Sequence, residues 1–238
     1  MSMRPTDPNA PRPPDRVLSL PLLETVYRIA SLDLSSKERS AQLTVALREH
    51  TTEADAKTRV KWAVSRIWIN PPQPAAGMIR WAIDHPDHFG DRRLMHTGAL
   101  AATVPFVGSV LGQLGRSFAL DQSPTVPSLR RRLVAQWGET STVQMAVGKT
   151  VTSLRRLGVV EGGGRNPITR CPSLEASPLV AAWLVHAVML IRQVESIEVL
   201  DAAGAPELFW ADQSTPDPDY PHLELHTEGL NRRVWASI

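Results

Sequence analysis

Cysteine is almost absent from this sequence. Its 238 residues include a single cysteine, Cys171, which excludes an internal disulfide framework and most thiolate metal sites. A reducing compartment is consistent with so little cysteine, and we predict a cytoplasmic protein. Cys171 precedes a proline and has no obvious histidine partner, so the sequence predicts no reactive thiolate.

Convincing membrane spans are also missing. Residues 94–115 contain no Asp, Glu, Lys or Arg, but His96, Pro105 and four glycines leave the stretch too polar for a bilayer. Residues 178–191 are too short to span and are typical of a buried helix. Residues 1–16 hold five prolines and no apolar run, which predicts a disordered leader rather than a signal peptide. We therefore expect no membrane partner.

Signatures of catalysis are lacking as well. Residues 147–150 read V-G-K-T, like the end of a phosphate-binding loop, but residue 143 is valine where that loop needs glycine. Residues 162–164 are three glycines without the strand-then-helix setting of a dinucleotide site. No G-x-S-x-G occurs, and paired carboxylates occur only in the acidic tail. We predict no enzyme activity and no cofactor.

Two histidine-containing stretches have residue types that bind metals, but neither has the spacing or the number of ligands that a metal site needs. Residues 84–91 read D-H-P-D-H-F-G-D, but Pro86 and Gly90 break the helical spacing that would pair the ligands, which favours a solvated loop. His222, Glu224 and His226 share one face of a predicted strand without further ligands. His186 lies inside an apolar helix, where a core histidine with a satisfied hydrogen bond is expected.

Residues 128–170 are predicted to form a helix-turn-helix followed by a small hairpin. The first helix begins near Ser128, a good N-cap residue, and ends at Gly138. The second begins at Ser141–Thr142 and ends at Gly158. Residues 159–160 then read as a strand, 161–164 as a turn and 167–170 as a return strand. The inward residues are predicted to be Leu129, Leu133 and Trp137 in the first helix, and Val143, Val147, Val151 and Leu154 in the second.

The face opposite the valines predicts nucleic-acid contact. Between residues 116 and 170 there are nine Lys/Arg and three Asp/Glu, a net of +6 in a chain of net +2. Long cations and short hydroxyls are the side chains that recognition helices use. A protein-binding module and an ordinary solvated face remain the alternatives. The predicted contacts are Lys149, Thr152, Ser153, Arg155 and Arg156 in the second helix, with Arg130, Arg131, Arg132 and Arg165 on phosphates.

Helices are predicted to occupy the chain before this segment. One covers 20–30, and a second starts at Ser35, where S-S-K-E has the spacing of a capping box. A third starts at Thr52, where T-E-A-D repeats that pattern, and ends at Asn70-Pro71-Pro72. Lys57, Lys61 and Arg66 give it a second basic face, for which a solvated surface is the commoner explanation. Further helices are predicted at 75–83, 94–102 and 105–120.

After residue 170 the predicted structure and the charge both change. Residues 176–194 form one apolar helix, and strands are predicted around Ile197 and Val199, at 208–210, at 222–226 and at 231–236, with a turn at 228–229. From Cys171 onward there are three Lys/Arg and ten Asp/Glu, a net of −7. The acidic tail and the basic middle could pair with each other or with separate partners, such as other proteins. Phosphate repels an acidic region, so the tail is expected to face away from nucleic acid.

Several short strings together resemble a known family. They are Leu-Glu-Thr at 23–25, Ser-Arg-Ile at 65–67, the apolar helices at 94–120, Trp-Gly at 137–138, and K-T-V-T-S-L-R-R-L-G-V-V at 149–160. Residues 20–190 resemble in layout the BrxA-type accessory proteins of BREX phage-defence systems. The resemblance implies an all-helical, DNA-binding accessory factor without a known enzymatic role. The resemblance does not identify any binding residues in this chain. The predicted leader and the acidic tail are the two parts of the sequence that differ from the family's layout.

The resulting prediction is a mainly α protein: a helical bundle plus a winged-helix-like unit with a small β-rich tail. Its predicted parts are the leader at 1–16, the bundle at 17–120, the winged-helix-like domain with its supporting helix at 125–194, and the acidic β tail at 195–238. The predicted function is double-stranded DNA binding within a bacterial defence complex. A protein scaffold and an RNA-binding helical protein are the alternatives, and without an aromatic stacking motif nothing separates RNA from DNA.

Overall fold

The chain folds mainly into helices, as predicted. A computed structural model describes residues 13–14, 16–49, 54–228 and 232–237. Most of the predicted leader, the helix start at Thr52 and Gly229 of the predicted turn lie outside these residues. The helices in the described chain are α1 (Leu20–Ser31), α2 (Ser36–Ala46), α3 (Ala54–Trp68), α4 (Ala76–Asp84), α5 (Arg92–Thr103), α6 (Pro105–Phe118), α7 (Val126–Trp137), α8 (Ser141–Arg156), α9 (Pro178–Arg192) and α10 (Val199–Ala203).

Local signals set several of these helix ends. The predicted capping box of α2 is confirmed: the Ser35 backbone N–H donates to Glu38 Oε2 at 2.8 Å, and the Glu38 N–H donates to Ser35 Oγ. The same carboxylate accepts the Ser35 hydroxyl proton, and these bonds hold the pKa of Glu38 below its ordinary value. Helix α3 ends at Trp68, three positions before Pro71, because proline cannot continue a helix.

Helix α5 lies at the centre of the core. Every residue from Leu94 to Thr103 is buried. A Cβ atom at Gly98 would lie 2.3 Å from Cζ3 of Trp183, so α5 packs its backbone directly against α9. The indole N–H of Trp183 donates to the carbonyl of Met78 at 2.9 Å, which adds α4 to the same contact. One connected hydrophobic core extends from Leu18 to Trp235, through all three predicted folded parts.

Residues 94–115, the stretch without Asp, Glu, Lys or Arg, lie in helices α5 and α6. Within the described residues no single helix has both the length and the apolar character needed to cross a membrane. Only α5 and α6 together reach that composition, and the chain bends by 114° between them.

The strands are short and lie in three small sheets. One is an antiparallel hairpin and one is a parallel pair, whereas the third is antiparallel in the order β4-β7-β6. The predicted strands near Ile197, at 222–226 and at 231–236 correspond to members of the third sheet. The strands are β1 (Val160–Gly163), β2 (Asn166–Arg170), β3 (Leu174–Ala176), β4 (Ser196–Glu198), β5 (Ala211–Gln213), β6 (Leu223–Glu228) and β7 (Arg232–Ser237).

Two strand predictions in the tail are wrong. Val199 begins α10, and residues 208–210 form the end of a 3₁₀ turn, Pro206–Leu208, and the turn after it. Leu208 and Trp210 are nevertheless buried, and the indole N–H of Trp210 donates to the carbonyl of Glu207 at 2.9 Å. A short apolar run is expected both of a strand and of a buried turn, and periodicity alone does not separate the two.

Candidate nucleic-acid interface

Helix α7 begins two residues earlier than predicted. Thr125, rather than Ser128, is its N-cap: the Ser128 N–H donates to Thr125 Oγ1, and the Thr125 N–H donates to Ser128 Oγ at 3.0 Å. Pro127 falls in the first turn, where a missing N–H costs nothing. Leu129 and Leu133 are fully buried, which confirms the predicted inner face. The helix ends at Gly138, whose φ of 85° favours glycine.

One side of α7 is held against α6. Trp137 packs edge-on against Phe106 with ring centroids 5.3 Å apart, and its indole N–H donates to Ser109 Oγ at 3.2 Å. One turn earlier, Arg132 Nη1 donates to Ser117 Oγ at 2.8 Å. Arg132 is exposed but has one N–H engaged with α6, which limits where its guanidinium can reach.

The other two predicted arginines of α7 differ in exposure. Arg131 is exposed, as a phosphate contact requires. Arg130 is half-buried, and its Nε is buried without a hydrogen-bond partner in the described chain. Of the predicted phosphate contacts on α7, Arg131 is therefore the best placed.

Helix α8 has the predicted valine stripe and defined ends. Val143, Val147, Val151 and Leu154 are all at most 4% exposed. The hydroxyl of the N-cap Thr140 accepts the Val143 N–H at 3.2 Å. At the other end Gly158, with φ of 69°, donates to the carbonyl of Arg155, and the Val159 N–H donates to that of Leu154. This pair of bonds is a Schellman motif, which stops the helix beside its last two arginines.

Ser153 lies on the buried side of α8. It is 3% exposed, its Oγ accepts the Leu18 N–H at 2.8 Å, and its hydroxyl donates to the carbonyl of Lys149 at 2.9 Å. The prediction that Ser153 contacts nucleic acid is wrong, because the chain just before α1 covers this side of the helix.

Thr152 stays at the half-exposed edge of α8. Its hydroxyl donates to the carbonyl of Gly148 at 2.8 Å, so its one proton is already used. A phosphate oxygen can only accept hydrogen bonds, whereas the amino groups of adenine and cytosine donate them. The free lone pair of Thr152 therefore suits a base edge better than a phosphate.

The outer face of α8 carries its cations near the C-terminal end. Arg155 and Arg156 are exposed, and within the described chain no carboxylate forms an ion pair with either. The negative end of the helix dipole favours cations in this last turn. Lys149 is half-buried one to two turns earlier, and Met145 is 57% exposed on the same face.

The hairpin after α8 is present, with its turn later than predicted. The turn lies at 164–165, between β1 and β2, so residues 161–163 belong to the first strand. A Cβ atom at Gly162 would lie 2.0 Å from the Pro167 carbonyl oxygen, and the φ of Gly162 is 75°. Arg165 is exposed at the tip. The glycine-rich turn therefore leaves the cation of Arg165 at the tip of the hairpin.

The hairpin packs against both helices. The buried Ile168 donates its N–H to the carbonyl of Pro124 at 2.7 Å, just before α7 begins. A Cβ atom at Gly163 would lie 3.1 Å from Cγ1 of Val151 in α8. Helix α7, helix α8 and the hairpin thus form one packed unit, residues 126–170, called the basic unit below.

The second basic surface, on α3, is partly engaged by α2. Lys61 Nζ donates to the Ser40 carbonyl, Ser40 Oγ and Thr44 Oγ1, at 3.0, 2.8 and 2.7 Å. An ammonium group has three hydrogens, and these contacts use all of them. Lys61 therefore bridges two helices in this structure, and its predicted contact with nucleic acid would require these bonds to be exchanged. The side chain of Lys57 lies outside the described residues.

Sequence reasoning missed the aromatic member of the α3 surface. Trp62 is 50% exposed, and the Arg66 guanidinium carbon lies 5.1 Å from its ring centroid. The i, i+4 spacing of the two residues was visible in the sequence, inside a segment without acids. The predicted contact residue Arg66 is therefore half of a stacked pair.

The acidic tail contains one structural acid and a set of exposed ones. Glu207 is 6% exposed and pairs with Arg192 at 2.8 Å. Leu200 is 82% exposed, beside the exposed Asp201 on α10. The other exposed acids of the tail include Glu195, Asp212, Asp219 and Glu224.

His186 occupies the core, as predicted. Its Nδ1 lies 3.2 Å from the hydroxyl of the buried Tyr220, and burial lowers the pKa of His186 to about 4, with His222 adding to the effect.

Burial raises the pKa of Cys171, so its thiol is less reactive than an ordinary one. Across the described ranges no three His, Cys, Asp or Glu side chains are grouped so as to hold a metal ion.

Comparison with protein-family models, with curated proteins and with solved structures found no match for the chain.

Proposed function

We propose that the protein binds double-stranded DNA through the basic unit, as a winged-helix-like, non-enzymatic accessory factor. The observation that carries this proposal is the set of exposed arginines on one packed unit. Arg131, Arg155, Arg156 and Arg165 are exposed and, within the described residues, unpaired with carboxylates. A cluster of such cations attracts the phosphate backbone and drives counterion release.

Helix α8 would enter the major groove. An α-helix with side chains is about 10–12 Å across, close to the roughly 12 Å width of that groove. Arg156 would donate hydrogen bonds to a guanine edge or to a phosphate. Thr152 would accept a hydrogen bond from the amino group of a base, and Met145 would contact the methyl group of thymine. Arg131 on α7 and Arg165 at the hairpin tip would hold phosphates on either side of the groove.

The phage-defence context belongs to the same proposal. It is carried by the resemblance of residues 20–190 to BrxA-type accessory proteins. In such a complex the basic unit would face DNA. The exposed acids of the tail would face protein partners, because the phosphates of DNA repel carboxylates.

Fluorescence anisotropy with a labelled random duplex, repeated across a salt series, tests the proposal. About four to six phosphate contacts give a log–log slope near −4 to −5. Replacing Lys149→Ala and Arg156→Ala together should weaken binding, and each of the two residues that contacts a phosphate should contribute about 0.9 to the loss of slope. Unchanged affinity and unchanged slope in this double variant would contradict the role of α8.

A matched control separates this site from net charge. Arg28→Ala with Arg80→Ala removes the same two charges from exposed positions on α1 and α4. We expect this control to bind the duplex nearly as wild type does. Equal losses in the two double variants would mean that charge in general, rather than the basic unit, attracts the DNA.

A protein scaffold is the second candidate function. The observation in its favour is Leu200, which is 82% exposed on α10 beside Asp201. A large apolar side chain among acids suits a partner with an apolar and basic surface. The scaffold alternative predicts no salt-dependent duplex binding by the wild-type protein, even at low salt.

A further inference from the structure

Trp62 is the one tryptophan that the fold leaves open to solvent. All seven tryptophans lie in the described residues; five are buried, Trp137 is half-buried, and Trp62 is 50% exposed. Single exposed apolar residues are common, so exposure alone indicates nothing. What distinguishes Trp62 is its surroundings.

Cations stand on both sides of Trp62 along α3. The guanidinium of Arg66, one turn later, lies 5.1 Å from the ring centroid, and Trp62 is half exposed with that guanidinium in place. Arg59 is exposed three residues before Trp62, which places it on the same side of the helix. The span from Arg59 to Arg66 is about 10 Å along the helix axis.

No acid offsets these cations within the segment. Residues 57–66 include no Asp or Glu. The side chains of α2 that meet α3 through Lys61 are Ser40 and Thr44, which are uncharged. Within residues 57–66 the surface therefore combines a flat aromatic ring with cations and no acid.

We infer that Trp62 is a stacking site for an unpaired nucleobase of single-stranded nucleic acid, with Arg59 and Arg66 on the adjacent phosphates. Exposed aromatic rings in positively charged surfaces bind single strands in this way, because every base has a face that stacks and every nucleotide a phosphate. The site lies on α3 and takes a different ligand from the duplex proposed for α8, so the two proposals stand independently. An acidic protein partner is the competing occupant.

The test uses the full-length protein and a short labelled oligothymidylate, whose bases do not pair with one another. Anisotropy gives the affinity, and tryptophan emission reports whether the exposed ring meets the strand. The wild type should bind at low salt with partial quenching. Trp62→Ala should lower the affinity about tenfold, within the range for one stacked base, and abolish the quenching. Trp62→Phe should keep most of the affinity, because it keeps an aromatic face.

Controls exclude a folding defect and a general effect of apolar surface. Trp62→Ala should keep the thermal unfolding midpoint within a few degrees, since its side chain is half exposed. Leu200→Ala removes an exposed apolar side chain from α10 and should bind the strand as wild type does. Lys149→Ala with Arg156→Ala should keep single-strand binding, and Trp62→Ala should keep duplex binding.

Three results would overturn the inference. The first is no binding of the oligothymidylate by wild type at low salt, which would assign Trp62 to a protein partner. The second is equal affinity of wild type and Trp62→Ala. The third is an equal loss in Trp62→Phe and Trp62→Ala, since a stacking site tolerates phenylalanine. A wild-type protein that binds the oligothymidylate but not the duplex would count against the role proposed for α8 and leave this inference standing.

Discussion

The two basic helices, α3 and α8, look alike in the sequence and differ in the structure. Both are 15 to 16 residues long and carry a basic face. In α8 the terminal Arg155 and Arg156 reach solvent, whereas in α3 the ammonium of Lys61 is fully used by α2. The neighbouring helix therefore decides whether a cation is available for binding.

The apolar residues on the two faces differ in a way that matters for the ligand. Helix α8 presents the flexible side chain of Met145, whereas α3 presents the flat ring of Trp62 beneath a guanidinium. A methionine adapts to groove surfaces, and an indole ring stacks on bases. This difference is why we propose a duplex for α8 and an unpaired base for α3.

The largest expected effect concerns the core that supports both helices. Neither α3 nor α8 contains histidine, whereas the core that supports them contains the buried His96 and His186. His186 in α9 has a pKa of about 4 when folded, against an ordinary value near 6.5 when unfolded. The unfolded chain therefore binds more protons between these values, and folding stability should fall by about 3 kcal/mol as the pH drops from above 6.5 to below 4.

Urea unfolding at a series of pH values measures this loss. Burial also lowers the pKa of His96, which acts in the same direction. His186→Gln cannot titrate and should flatten the dependence. A free energy of unfolding that stays constant from pH 7 to pH 4.5 would show that His186 is not held neutral by its burial.

The next effect separates the two sides of α8. Ser153→Ala leaves the buried N–H of Leu18 without an acceptor, and the free energy of unfolding should fall by about 1–3 kcal/mol. Under conditions where the variant is folded, its duplex affinity should equal that of wild type, because Ser153 faces inward. Urea unfolding and duplex anisotropy measure the two quantities.

Thr152→Ala is the matched control for Ser153→Ala. Thr152 is half exposed and its hydroxyl bonds only to its own helix, so the variant should lose little stability and some duplex affinity. Reduced affinity with full stability in Ser153→Ala would contradict the assignment of Ser153 to the buried side.

The smallest expected effect distinguishes α3 from α8 directly. Lys61→Met keeps the apolar stem and removes three hydrogen bonds to α2, at a cost of about 1 kcal/mol for such exposed bonds. This corresponds to about 2–4 °C in the melting temperature of a protein of this size, measured by thermal unfolding. Arg59→Met, which removes an exposed cation from the same helix, should leave the melting temperature unchanged.

Duplex binding by Lys61→Met completes this comparison. We expect wild-type affinity, because the ammonium faces α2. Weakened duplex binding at an unchanged melting temperature would mean that Lys61 is available to ligands and that the two helices are equivalent.

Local sequence signals predicted most of the helices and several of their ends. The capping box at Ser35, the valine stripe of α8 and the glycines after α7 and α8 act through contacts within a few residues of each other, so they can be recognised without the rest of the fold. The same reasoning misplaced residues 208–210, because their apolar character reflects burial in a turn rather than a strand.

The positions of α7, α8 and their hairpin, and the concentration of positive charge in this part of the chain, can be inferred from local sequence patterns. Which cations and hydroxyls face outward depends on tertiary packing. Ser153 is covered by Leu18, 135 residues earlier in the chain, and Lys61 is engaged by α2, about 20 residues earlier. Helical periodicity gives a residue its position around the helix axis, but it does not reveal which distant segment packs against that side.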